Sequence, residues 1–420
     1  MTAERYVVLG VAQPRSPWFP AVAAWSTGGA APVEFSKCLG IAEVEARLRA
    51  GQLTSAILCD LGVAGVDRDL VSLAQRHNAV VIAVSSAQYG GHSVAMGAHG
   101  ELPSDFTTHD LLAMLQAVAA PVTDRIPASV ASIVADRPPS SFEGELVAVC
   151  ARGGAGASIV SMALTQGIAG GRDSWGSVAL VDWTLNGDQA TYHDSPDVIP
   201  ATQELVEAHR HGCPQRSEGM SMLRCLPDRG YSLLLGLRQR RDWTTLTPTT
   251  VAATCDSLRR WFRWTIADVT AEFEGEAATG SFDVEDRHCL ARTAVANASV
   301  TVAVGTPTLK GIRDLVRLID DLVDGGCDPA RVLPVINHAP RQRHLRSEIT
   351  TALGTLGSTP AGTSPAFFGT KRTLESILRC SDPLPPSWCD PLASAVRGVF
   401  SEVGPLVGEQ LPVAVGTATR

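Results

Sequence analysis

The chain is 420 residues long, 45% apolar and 19% charged, a globular composition with room for two domains at roughly 100 to 200 residues each. A formal net charge of −8 argues against a generally cationic, nucleic-acid-binding surface, and the two basic runs, Arg238 to Arg241 and Arg341 to Arg346, read as a solvated helix end or loop. Ten cysteines form no CxxC pair and have no histidine at zinc spacing, so they read as buried thiols of a reducing compartment. There is no basic leader followed by an apolar stretch and no run long enough to span a bilayer, and a soluble, cytoplasmic protein without an integral membrane segment is expected.

Residues 1–120 alternate short apolar runs (Tyr6 to Val11, Ala56 to Cys59, Val80 to Val84) with helical patterns at Ile41 to Ala50, Asp67 to Arg76 and Thr108 to Ala119. Strands interleaved with helices predict a parallel α/β sheet. The stretch from Ser55 to Ser86, with Gly97 to Phe106 after it, resembles a response-regulator receiver domain of flavodoxin-like fold. That resemblance places Asp60 at the phospho-acceptor position and Ser85 at the switch hydroxyl. Receiver chemistry also needs an acidic pair for magnesium and a lysine to offset the phosphoryl charge. Here Ala12, Gln13 and Pro14 follow the first strand, and Ser104 stands where the lysine is expected. Asp60 is therefore expected to cap the turn after its strand, in a pseudo-receiver used for docking or dimerisation.

Residues 121–144 are rich in proline, serine and isolated charges and read as a connector, with a short helix at Ala128 to Ala135. The second domain is placed at 145–400 and a weakly apolar tail at 401–420. At its start an apolar strand, Leu146 to Ala151, runs into Arg152-Gly153-Gly154-Ala155-Gly156-Ala157-Ser158 and then into a helical pattern reaching Ala169. Glycines between a buried strand and a helix N-terminus let backbone N–H groups gather around a phosphate. The phosphate-loop pattern GxxxxGK[ST] needs a lysine after its last glycine; here Ala157 takes that place and the hydroxyl remains as Ser158. Further strands are expected at Ser177 to Val181, ending in Asp182; at Tyr231 to Leu237; up to Asp268; at Val300 to Val304; and at Val332 to Ile336, with a helix at Leu309 to Val323. Polar residues at the C-terminal ends of such strands are where open α/β sheets bind ligands. Taken singly, the glycines, Asp182, Asp268 and Asn337 also suit packing, capping and turns. His288, beside Cys289, reads as a surface or capping residue, and Trp261 and Trp264 as core or interface anchors on one face.

The order of these pieces resembles the MinD/ParA family of P-loop ATPases, and more narrowly its CpaE/TadZ branch, in which a receiver-like domain precedes an ATPase-like one. The resemblance implies a mostly parallel sheet and a cofactor site for ATP and magnesium built from Arg152, Gly153, Gly154, Gly156, Ser158, Asp182, Asp268 and Asn337. Ser158 and Asp268 would hold the metal, Arg152 falls at the signature lysine that reaches a dimer partner, and Asn337 is placed to touch adenine. Phe367 to Trp388 is similar to the closing segment of that branch. Three positions depart from the pattern: Ala157 for the phosphate-binding lysine, Thr184 for the aspartate that orients the attacking water, and Thr270 for a proline. Phosphoryl transfer depends on positioning and charge stabilisation, so the expectation is a non-catalytic localisation or scaffold protein. It would form a homodimer and recruit a Tad-type pilus, a secretion assembly or division machinery to a pole or septum. The rival expectations are a working ATPase switch in which Arg152 replaces the missing lysine, and a septum-site regulator.

Overall fold

A computed structural model describes residues 5–27, 31–85, 93, 96–122, 143–171, 177–195, 199–356 and 364–404. Two compact units emerge, one of Met1–Pro139 with Glu207–Pro214, the other of Ser140–Val206 with Gln215–Arg420. The short segment 207–214 groups with the first unit, which the linear order of the chain does not suggest. Residues 123–142 of the connector, with the helix expected at Ala128 to Ala135, lie outside the described residues, as do residues 405–420 of the tail.

In the first unit, β1 (Tyr6–Val11), β2 (Val33–Lys37), β3 (Ala56–Asp60), β4 (Val80–Ser85) and β5 (Gly100–Pro103) form one sheet in the order β2-β1-β3-β4-β5. Every pairing in it is parallel, and this order is that of flavodoxin-like doubly wound folds. Helices Ile41–Arg49, Arg68–Arg76 and Thr108–Val118 lie where the apolar periodicity placed them. The helix Trp18–Thr27 and strand β2 were not anticipated. Only Val33 of β2 is buried, so that strand lacks the apolar run by which a central strand is recognised.

The second unit carries β6 (Glu145–Ala151), β7 (Val178–Trp183), β8 (Arg224–Leu226), β9 (Tyr231–Leu234), β10 (Trp264–Thr270), β11 (Val300–Gly305), β12 (Val332–Ala339) and β13 (Ala366–Gly369). They form a sheet in the order β13-β12-β11-β6-β10-β7-β9-β8, parallel except for the β8–β9 pair. The α/β class with a mostly parallel sheet is thus as expected. Strand β6 shows why these strands read as unbroken apolar runs: Leu146, Ala148 and Cys150 face one core, and Val147 and Val149 the other. Trp261 and Trp264 are both core residues, but on opposite sides of the sheet. They do not share a face because one ends the helix Pro248–Trp261 and the other begins β10.

Helix Ala157–Ala169 is buried over most of its length and lies against the long helix Pro386–Val403, which ends three residues beyond the expected domain limit of 400. Small residues allow that approach. A Cβ on Gly167 would meet the backbone oxygen of Cys389 at 2.5 Å and the Cβ of Ala393 at 3.1 Å. Gly167→Val is expected to force the two helices apart and cost about 1–3 kcal/mol, read as a lower denaturant midpoint with an unchanged slope.

Candidate functional site

The loop between β6 and helix Ala157–Ala169 has left-handed backbone at three glycines, with φ of +64° at Gly153, +72° at Gly154 and +90° at Gly156. L-residues adopt such φ only with strain, which is the local reason this segment is glycine-rich. The loop is also held from the side. Asn337, 4% exposed on β12, donates from Nδ2 to the carbonyl of Ala155 at 2.8 Å and accepts at Oδ1 from the His338 N–H at 2.8 Å. Both ends of its amide are thereby engaged, and Asn337 fastens the loop from the side.

Beneath the loop, Asp182 on β7 and Asp268 on β10 are partners in register. Their strands run on to Trp183 and Thr270, so the two carboxylates lie just inside the strand ends rather than at the last residue. They are 0% and 1% exposed. Asp182 accepts at Oδ1 from the Thr184 N–H at 3.2 Å and the Thr184 hydroxyl at 2.7 Å, and at Oδ2 from the Gln189 N–H at 2.9 Å. Asp268 accepts at Oδ2 from the Gln189 side-chain amide at 2.8 Å, while its Oδ1 has no partner. The same Gln189 amide reaches the Ser158 carbonyl at 2.9 Å and the Ser161 hydroxyl at 3.1 Å. Burial raises the pKa of both carboxyls above their ordinary value; for Asp268 the neighbouring Asp182 is the next cause. Gln189 is the site residue that sequence reading missed. It has no characteristic neighbour pattern, and its role depends only on the turn after β7 folding back over both strands.

Arg152 is turned toward helix Leu309–Asp324, where its guanidinium pairs with Asp321. In this structure the candidate replacement for the missing lysine is therefore engaged within its own chain. A second cation lies beside the loop: Lys310 Nζ is 3.7 Å from where a Cβ on Gly153 would stand, and it pairs with Asp314. Two carboxylates and a hydroxyl, one carboxylate oxygen being unpartnered, are hard oxygen donors that suit magnesium completed by water and phosphate oxygens. If the group is bound, Ser158 and Asp268 would hold it. Among the described residues no group of three His, Cys, Asp or Glu side chains converges as a metal site of its own.

In the first unit Asp60, 8% exposed, does not cap the turn after its strand. Its Oδ2 accepts from the Gln13 N–H at 2.6 Å and from the Ser16 hydroxyl, and its Oδ1 from the Trp18 indole at 2.7 Å. The carboxylate is filled by donors from the segment where a receiver would carry its acidic pair. His288 is also not a surface residue: it is 6% exposed, with Nδ1 3.0 Å from the Glu274 carbonyl and Nε2 3.3 Å from Glu272. All ten cysteines are unpaired, six of them buried, Cys59 and Cys150 among these.

Two outcomes test this geometry. Because the Asp268 pKa is raised from 3.8, the folded state holds a proton that the unfolded chain has already lost, so its contribution to stability falls as pH rises above 3.8 and through the raised value. Asp268→Asn should flatten that decline and stabilise the protein by about 1–3 kcal/mol at pH 8, seen as a denaturant midpoint less sensitive to pH. Asp60→Ala should cost about 1–3 kcal/mol by stranding buried donors, and acetyl phosphate should leave the mass of the wild-type chain unchanged.

No protein-family model matches the chain, and no curated protein matches it. Among solved structures, a ParA family ATPase from Chlorobium tepidum TLS superposes with a TM-score of 0.45 at 16% identity, over 62% of this chain and 96% of that one. The septum site-determining protein MinD from Pyrococcus horikoshii OT3, complexed with Mg-ADP, gives a TM-score of 0.45 at 14% identity, over 64% of this chain and 99% of that one. A plasmid partition protein from Borrelia burgdorferi B31 bound to AMPPNP gives 0.44 at 11% identity, over 62% of this chain and 99% of its own.

Proposed function

We propose that the protein is a non-catalytic localisation or scaffold protein: a pseudo-receiver joined to a nucleotide-loop module that binds without efficient turnover. The observation that carries this reading is the Gln189 amide set between Ser158 and Asp268, beneath a loop whose lysine position is Ala157. A neutral amide can hold the loop, the helix start and the buried carboxylate together, but it supplies none of the positive charge that phosphoryl transfer demands. Thr184 supports the same reading, since its hydroxyl is engaged by Asp182 and by the Gly187 N–H and bears no carboxylate to orient water.

On this reading the chain acts through protein contacts, as a homodimer that recruits a Tad-type pilus, a secretion assembly or division machinery. ATP with magnesium would act as a stabilising ligand, held by the loop N–H groups, Ser158 and Asp268. Asn337 would contribute by keeping the loop in shape. The rival reading, a working ATPase switch, has a specific observation in its favour: Lys310 stands over Gly153.

Calorimetry with magnesium ATP and a phosphate-release assay separate the two. Binding without turnover above background, weakened at least fivefold by Ser158→Ala, is the expected result. Magnesium-dependent hydrolysis abolished by Lys310→Ala or Arg152→Ala would overturn the non-catalytic reading in favour of the switch.

A further inference from the structure

The basic run Arg341 to Arg346 leads into the helix Arg343–Leu356 and is largely exposed, but two of its residues, Arg341 and Arg346, line a cleft together with cations from the segment after β13. Beyond the ends of β12 and β13 lies a cavity of about 800 Å³, within the range of small-molecule sites. Arg341, Arg346, Lys371 and Arg372 line it together with Phe368 and Trp388, and none of its described lining residues is acidic. Among the described residues no carboxylate pairs with Arg341, Lys371 or Arg372, in a chain whose net charge is −8.

Two of the cations, Lys371 and Arg346, are held in position. Lys371 Nζ stands 5.0 Å from the ring of Phe368, which is 3% exposed, and 5.0 Å from that of Trp388. Arg346 lies over Phe367 at 5.1 Å, and its Nε donates to the Pro340 carbonyl at 2.7 Å. The aromatic faces thus already carry cations and act to orient them, leaving little ring surface to stack a planar ligand. Burial lowers the Lys371 pKa, and the like charge of Arg341 adds a smaller effect in the same direction. Convergent positive groups of this kind are under mutual repulsion until an anion joins them.

We propose that the cleft binds a compact, multiply charged phosphate group of pyrophosphate size, held by Arg341, Lys371 and Arg372. Guanidinium groups suit such a ligand because their paired N–H donors match phosphate oxygens. The site is separate from the glycine loop, and the proposal stands whether or not that loop takes a nucleotide.

The test is titration of the full-length protein with inorganic pyrophosphate in EDTA, monitored by calorimetry and tryptophan fluorescence. Saturable binding is expected, weakened tenfold or more by Arg372→Glu and by Arg341→Ala, partly retained in Arg372→Lys, and indifferent to Ser158→Ala. The fluorescence change should vanish in Trp388→Phe while the calorimetric binding remains. Arg341 and Arg372 are exposed, so unchanged thermal melts are expected for their variants. Pyrophosphate binding that survives Arg341→Ala/Arg372→Glu, that is lost in Ser158→Ala, or that sulfate matches in affinity would overturn the proposal.

Discussion

Two carboxylates facing each other on neighbouring strands, both shut off from water, are the constraint around which the second unit is arranged. An ionised carboxylate taken from water into a core costs several kcal/mol unless it is paired or hydrogen-bonded. Here the compensation comes from neutral donors: the Thr184 N–H and hydroxyl, the Gln189 backbone and the Gln189 amide. These suffice for Asp182 but leave one oxygen of Asp268 without a partner. The upward shift of both carboxyls is the electrostatic consequence, and it makes Asp268 the place where a proton or a cation gains most from binding.

The first unit holds its strand-end carboxylate in a similar way. Asp60 is enclosed by a backbone N–H, a serine hydroxyl and an indole N–H, all from the segment after β1. In both units a carboxylate at the C-terminal edge of a parallel sheet is stabilised by hydrogen bonds from neutral groups. Neutral donors hold one geometry firmly, and they provide neither a metal's charge nor a cation's. The two sites therefore share a physical character: a buried carboxylate held at a strand end by neutral donors.

Much of the framework was legible because its causes are local. The burial of β6 on both faces reads directly as an unbroken apolar run, and the glycines mark positions where φ is positive. The features that stayed hidden depend on partners far along the chain. Asn337 meets the Ala155 carbonyl across 182 positions and Gln189 meets Asp268 across 79, distances at which no residue pattern survives. The helix Trp18–Thr27 escaped notice because its sequence, WFPAVAAWST, is apolar without a clear stripe. His288 occupies a helix cap, as one of its two readings has it, but its burial is not legible locally, because its ring meets Glu274 and Glu272 well back along the chain.

The glycine loop and the basic cleft are joined by a single residue step on β12. Asn337 uses its amide to hold Ala155, and the same side chain accepts from the N–H of His338. That N–H is thereby turned away from the ladder, His338 takes a φ of +54°, and the β12–β13 register slips between Asn337 and Ala339. A bulge of this kind bends a strand and re-aims the residues beyond it. The chain leaving β12 consequently carries Pro340 and Arg341 into the cleft rather than along the sheet. One asparagine thus holds the loop at the Ala155 carbonyl on one side and sets the bulge from which the basic segment leaves β12 on the other.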